Sequence, residues 1–130
     1  MKIIEIKVDR VDECIWGNFD RQFKLRFINP INAINPDLTF KDWFWDLAVS
    51  IVQIRTDDGH TGIGWCEDGT GAVEAMINNH LHRFVMGQDP FDYEGIWELM
   101  FRASTVYGRK GAAIEAISAI AQFSGTKLST

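Results

Sequence analysis

Val49-Ser-Ile-Val-Gln-Ile-Arg-Thr-Asp-Asp-Gly-His-Thr-Gly-Ile-Gly-Trp-Cys-Glu67 is the most informative run in this 130-residue chain. It reads as two strands closed by a tight turn. Asp58-Gly59 is the turn signal: Gly accepts the positive φ that two-residue hairpin turns demand, and Asp tolerates it next best. Ahead of the turn, Val49 and Ile51 alternate with Ser50, while Val52 and Ile54 lie on the other face. Both faces are partly apolar, as in a strand covered on two sides. Behind the turn, Gly62 and Gly64 alternate with Ile63 and Trp65. Glycine is poor in a strand unless something must approach the backbone closely, so a close neighbour is expected there.

Upstream the chain reads as sheet. Lys2 to Asp12 has a period of two, with Ile4, Ile6 and Val8 on one face and Glu5, Lys7 and Asp9 on the other. Cys14 to Arg21 is a loop carrying Trp16 and Phe19. Gln22 to Ile28 alternates again as a further strand. Asn29 to Asp42 is a long connection with Pro30 and Pro36, and a structureless connection of that length is often functional. It leads into Trp43-Phe44-Trp45, three aromatics that cannot all point one way in a strand, so at least one is expected to face a partner, a ligand or the loop.

Downstream the chain reads as helix. After the breakers Asp68-Gly-Thr-Gly71, residues Val73, Met76, Ile77, Leu81, Phe84 and Val85 form one helical stripe, which Asn78-Asn79 is expected to fray or bend. Asp89-Pro90 is expected to cap and open a second helix, with Tyr93, Ile96, Trp97, Met100 and Phe101 on its inner face. Gly111 to Phe123 is a third, rich in Ala and Ile, whose small residues imply contact on more than one side. Strands first and helices after predict an α+β fold: an antiparallel meander of three to four strands followed by a three-helix bundle.

Composition bounds the function. The formal charge of -5 and the absence of any basic run argue against nucleic acid. Cys14 and Cys66 have no metal or redox spacing and read as two reduced thiols. Glu5 and Lys7 interrupt the apolar residues near the start, so no signal peptide is recognised, and no run reaches the roughly 20 residues of a membrane span. A cytoplasmic location is the resulting expectation.

Self-contained chemistry is not found. Gly62-Ile-Gly64 lacks the third Gly of a dinucleotide fingerprint and precedes no immediate helix. His80 and His82 are two apart and point to different sides of a helix, unlike zinc-helix histidines. His60 beside the turn reads as solvent-exposed. Asp57-Asp58 and Glu67-Asp68 read as solvated turn acids rather than a catalytic pair.

Three motifs in order carry a resemblance. Ile54 to Trp65 resembles the N-terminal domain of the enolase superfamily, mandelate racemase/muconate lactonizing branch. Gly87-Gln-Asp-Pro-Phe-Asp92, with Trp97 and Met100-Phe101-Arg102, resembles that family's entrance to its second helix. Tyr107-Gly-Arg-Lys-Gly111 and Ala116-Ile-Ser-Ala-Ile120 resemble its third helix, and the Gly-Arg-Lys-Gly variant is similar to acid-sugar dehydratases of the rhamnonate type.

The resemblance implies a capping domain over residues 1–120, paired in such enzymes with a β/α barrel. The barrel carries the Mg²⁺ carboxylates and the acid/base residues that abstract the proton α to a carboxylate. No cofactor and no catalytic residue are then expected in this chain, and an acid-sugar substrate only together with the barrel. The cap contributes two loops, here Cys14 to Arg21 and Asn29 to Trp45, so the substrate-facing candidates are Trp16, Asn18, Phe19, Arg21, Asn32, Trp43 and Trp45. Residues 121–130 depart from the family pattern and read as a tail, as though a reading frame had been truncated before the barrel. The apolar interface left in water, including part of helix 111–123 and Trp43 to Trp45, predicts a homo-oligomer. A stand-alone binding or oligomerisation module on the same fold is the other reading.

Overall fold

In the computed structural model, residues 1–11, 30–38 and 48–126 are described, with side chains through Phe123. β2 (Val49–Thr56) and β3 (Thr61–Glu67) pair antiparallel, with Ile51 opposite Trp65 and Ile54 opposite Gly62. The turn is one residue longer than the sequence suggested. Thr56 N–H donates to the His60 carbonyl (2.9 Å) and Gly59 N–H to the Thr56 carbonyl (3.1 Å), leaving Asp57, Asp58 and Gly59 in the loop. Gly59 alone of these three takes positive φ, +88°. A three-residue loop needs the left-handed region only at its last position, which relieves Asp58 of it.

β1 (Ile3–Val11) pairs with the other edge of β2, giving the order β1-β2-β3. The ladder is irregular between Ile3 and Glu5, where two steps of β1 face one of β2. Ile3 therefore takes the core position (2% exposed) and Ile4 is turned out, against the simple alternation. The inner face of β2 is Ser50, Val52, Ile54 and Thr56, all buried. Its outer face, with Ile51, is open, so among the described residues β2 is covered on one side, not two. The strand expected at Gln22–Ile28 lies outside the described residues. Residues 30–38 form successive turns, with Asn35 N–H on the Ile31 carbonyl (2.9 Å) and Asp37 N–H on Asn35 Oδ1 (3.1 Å).

The first helical stretch is α1 (Ala72–Met76), a π-helical turn (Ile77–Leu81) and α2 (His82–Val85). The widened turn falls where Asn78-Asn79 was expected to bend the helix, and it keeps both Ile77 and Leu81 buried. α3 (Tyr93–Ala103) starts later than expected: Asp92, not Asp89, is its cap, accepting from Gly95 N–H at 3.2 Å. Asp89 instead closes a preceding turn by accepting from Phe91 N–H at 3.0 Å. Ile96 and Met100 enter the core, Trp97 and Phe101 stack at its rim with ring centroids 5.1 Å apart, and Tyr93 is exposed.

α4 (Ala112–Thr126) is the central helix, packed against β3, β2, α1 and α3. It runs through position 120 without a break, and Phe123 belongs to the core. Its glycine partners explain the pattern in β3. A Cβ on Gly64 would lie 1.8 Å from the Ala119 carbonyl oxygen, and one on Gly62 would lie 2.0 Å from Phe123 Cδ2. Helix backbone at Gly64, and the Phe123 ring at Gly62, occupy the space a side chain would fill. With Ala113, Ala116, Ile117, Ala119, Ile120 and Phe123 buried, the exposed positions of α4 up to Phe123 are Glu115, Ser118 and Gln122. The expectation that part of this helix is left in water narrows to Ala112, Ile114 and Ala121, which are half-buried. Among the described residues, exposed apolar side chains are adjacent on the outer face of the sheet, at Ile51, Ile63 and Trp65, the last 56% exposed.

Candidate functional site

Of the seven substrate-facing candidates, Trp16, Asn18, Phe19, Arg21, Trp43 and Trp45 lie outside the described residues. Asn32 is half-buried within the turns of 30–38. Three polar clusters stand elsewhere.

The first is built on Asp68, which is 3% exposed. It follows directly from β3, and the breakers Gly69 to Gly71 turn the chain so that its carboxylate meets the start of α1. Oδ1 accepts from Val73 N–H (3.0 Å), and Oδ2 accepts from Glu74 N–H (3.0 Å) and the Ser50 hydroxyl (2.7 Å). Arg10 on β1 closes the same corner, with Nε donating to the Asp68 carbonyl and Nη2 to the Gly69 carbonyl, both at 2.8 Å. The solvated reading of Asp68 is corrected: it is a buried helix cap joining β1, β2, β3 and α1. An Asp followed by small breakers and then an apolar helical stripe was the available signal, blurred because the cap reaches five and six residues ahead.

The second cluster is the hairpin tip. The Thr56 hydroxyl donates to Asp58 Oδ1, and His60 Nδ1 lies 3.0 Å from the same oxygen. The Thr56 hydroxyl first, and the His60 side chain second, hold the Asp58 carboxyl far below the usual carboxylate range. His60 is half-buried rather than solvated. Asp57 is tied to the start of the chain: Lys2 N–H donates to its Oδ1 and its own N–H to the Lys2 carbonyl (3.0 and 2.9 Å).

In the third, His80 Nδ1 lies 2.6 Å from the Tyr107 hydroxyl, and the His80 ring meets Phe84 edge-on. Burial pushes the Tyr107 hydroxyl above its ordinary value. The neighbouring Arg109 sits at φ +77°, a strained position for a non-glycine residue.

These clusters do not combine. Among the described residues no three His, Cys, Asp or Glu side chains are grouped so as to hold a metal. Both Asp68 oxygens are already engaged, so its donor set does not fit Mg²⁺, which wants carboxylate oxygens open to the ion and its waters. Burial, and after it the charges of Asp68, Glu115 and Glu67, raise the Cys66 thiol to about 11, away from nucleophilic use. An apolar cleft between α3, α4 and the sheet, lined by Ile54, Val85, Tyr93, Met100 and Phe123, offers almost no polar group to orient a substrate. No helix among the described residues is long and apolar enough to cross a membrane.

The chain is 39% identical over 74 residues to the L-rhamnonate dehydratase of Saccharopolyspora erythraea, a match covering 57% of this chain and 19% of that protein. Crystal structures of L-rhamnonate dehydratase from Gibberella zeae superpose on it. One, complexed with Mg, gives a TM-score of 0.81 at 25% identity, over 98% of this chain and 33% of that one. Another gives 0.75 at 28% identity, over 92% and 29%. This chain therefore spans about a fifth of the curated relative and about a third of the solved chains. Residues 45–123 match the family profile described as mandelate racemase / muconate lactonizing enzyme, N-terminal domain. The hairpin, the seat of α4 and the profile coincide on the same residues: the chain belongs to the mandelate racemase/muconate lactonizing enzyme N-terminal domain family of the enolase superfamily.

Proposed function

We propose that this chain is the substrate-selecting cap of a Mg²⁺-dependent acid-sugar dehydratase and does no chemistry alone. The observation that carries the reading is the 39% identity to an L-rhamnonate dehydratase of which this chain spans 19%. The Mg²⁺ ligands and the groups that remove the proton α to the substrate carboxylate then reside in a barrel domain. This chain's part is to seat its loops over the barrel mouth. Trp16, Asn18, Phe19, Arg21, Asn32, Trp43 and Trp45 are the residues we assign to that contact, the polar ones toward sugar hydroxyls.

The test supplies the barrel in trans. The barrel portion of the Saccharopolyspora erythraea enzyme, expressed without its own N-terminal domain, is mixed with this chain, L-rhamnonate and Mg²⁺. Dehydration that requires both polypeptides and the metal is the expected result. If the relative's own N-terminal domain restores turnover and this chain does not, the reading fails.

The exposed sheet face favours a second element of the proposal, self-association. Ile51, Ile63 and Trp65 are adjacent on that face through the β2–β3 register, Ile51 opposite Trp65 and Gln53 opposite Ile63.

A further inference from the structure

Two Asp-Gly pairs occur in the chain, Asp58-Gly59 and Asp68-Gly69. An Asp-Gly pair carries a reaction of its own. The Gly backbone nitrogen bonds to the Asp Cγ, the carboxyl hydroxyl leaves as water with the amide proton, and a five-membered succinimide closes. Water then opens the ring. Opening at the side-chain carbonyl restores Asp, and opening at the main-chain carbonyl leaves isoaspartate, with the backbone routed through the side chain. No reagent but water is consumed, and it is returned. Glycine favours the closure because no side chain shields its nitrogen. The carboxyl must be free to turn and must carry its proton, since an ionised oxygen is a poor leaving group.

The fold treats the two pairs differently. Asp68 is buried, and its oxygens are anchored by the Val73 and Glu74 amides and the Ser50 hydroxyl. Turning toward Gly69 would leave three buried or half-buried donors unpaired. Asp58 stands at the hairpin tip with its side chain 37% exposed, and nothing lies within 4 Å of where a Gly59 side chain would stand. Water and space are at hand there. One residue restrains both reacting groups. The Thr56 hydroxyl donates to Asp58 Oδ1, and the Thr56 carbonyl accepts from Gly59 N–H, the attacking nitrogen, at 3.1 Å. Thr56 is itself buried and therefore fixed. His60 Nδ1, 3.0 Å from the same Asp58 oxygen, is a second hold on the carboxyl. Thr56 first and His60 second also keep that carboxyl ionised.

We propose that Asp58-Gly59 is a latent isoaspartate site, held closed by Thr56, which grips the carboxyl with its hydroxyl and the Gly59 nitrogen with its carbonyl, and by His60. Asp68-Gly69, the same dipeptide, is closed by burial. Conversion at Asp58 adds a main-chain carbon to the three-residue loop between Thr56 and His60, whose backbone groups are bonded at 2.9 Å. The tip of the hairpin is thus the place where slow chemistry can undo the turn.

The whole chain, aged at neutral pH in buffer and in denaturing urea, tests this, with isoaspartate read at positions 58 and 68 from backbone-fragment masses. In urea both positions are expected to convert at similar rates. In the folded parent, conversion at 58 is expected to be at least about tenfold slower than in urea. Thr56→Val keeps the shape and the carbonyl but loses the hydroxyl, and should accelerate conversion at 58 by about threefold or more while 68 stays closed. Thr56→Ser retains the hydroxyl and should keep the parent rate. Position 68 doubles as the report on folding. If Thr56→Val opens the fold, 68 converts as well, and His60→Ala at the tip carries the test: acceleration at 58 alone supports the hold, and the parent rate overturns it. A folded parent that converts at 58 as fast as in urea overturns the proposal. So does Thr56→Val at the parent rate with 68 closed, or Thr56→Ser as fast as Thr56→Val.

Discussion

Asp68→Ala removes the acceptor of the Ser50 hydroxyl and of the Val73 and Glu74 amides at one stroke, in a site 3% exposed. A lost cap costs about 1 kcal/mol, and a buried hydroxyl left unpaired adds roughly 1–3. We expect a total loss of about 2–4 kcal/mol in urea unfolding, with Asp68→Asn milder because its carbonyl oxygen still accepts. A change below about 0.5 kcal/mol would mean the corner is held by Arg10 alone. Asp58 gives a pH prediction. Its folded value is depressed, so its contribution to stability is full above its unfolded value of about 3.9 and is lost as pH falls through the folded one. Asp58 should remain ionised at about pH 3 by carboxyl NMR, and Thr56→Val should move its titration upward. An Asp58 that titrates near 3.9 in the parent contradicts this. Neither environment was legible beforehand. Adjacent acids in a turn look alike in sequence, and only the three-dimensional neighbours separate a buried cap from a hairpin tip.

At the scale of elements, the contact of α4 with β3 is the discriminating feature. Gly64→Ala places a methyl against backbone, the Ala119 carbonyl, which cannot swing aside, whereas Gly62→Ala meets chiefly the Phe123 ring. Overpacking costs about 1–3 kcal/mol where side chains adjust and more where they cannot. We therefore expect Gly64→Ala to be the worse of the two by at least about 1 kcal/mol in chemical denaturation. Equal effects would show that α4 shifts as a body. The glycine pair could be read in the sequence as a site of close approach, and the α4 stripe as a helix touched on several sides. Their mutual contact could not, because nothing local records which helix fills which gap. The start of α3 was misplaced for a similar reason. Asp89-Pro90 and Asp92 are both plausible caps, and the choice depends on a turn at Phe91.

For the whole molecule, the strands-then-helices order was enough to give α+β, since period two and period 3.6 change over once, at Asp68 to Gly71. Which surface stays bare was not, because exposure is set by how α4 rotates. With α4 turned inward, an exposed apolar patch is left on the outer face of the sheet. We expect sedimentation above monomer mass at micromolar concentration, and Ile51→Lys with Ile63→Lys to return the chain to monomer, since a charge at these exposed positions costs the fold little but opposes burial. A monomeric parent would remove the association proposal and leave the cap reading standing.

The seat of α4 on β3 also sets an order in time. The hairpin needs only contacts between near neighbours and closes in microseconds. Its inner glycines wait for Ala119 and Phe123, more than fifty residues further along the chain. A chain emerging from the ribosome at about 5–20 residues per second therefore carries a finished but uncovered hairpin for seconds. During that interval Gly62 and Gly64 present open backbone. The same close fit that makes the folded domain specific makes its nascent form the stage most exposed to chaperones and to pairing with a neighbouring chain.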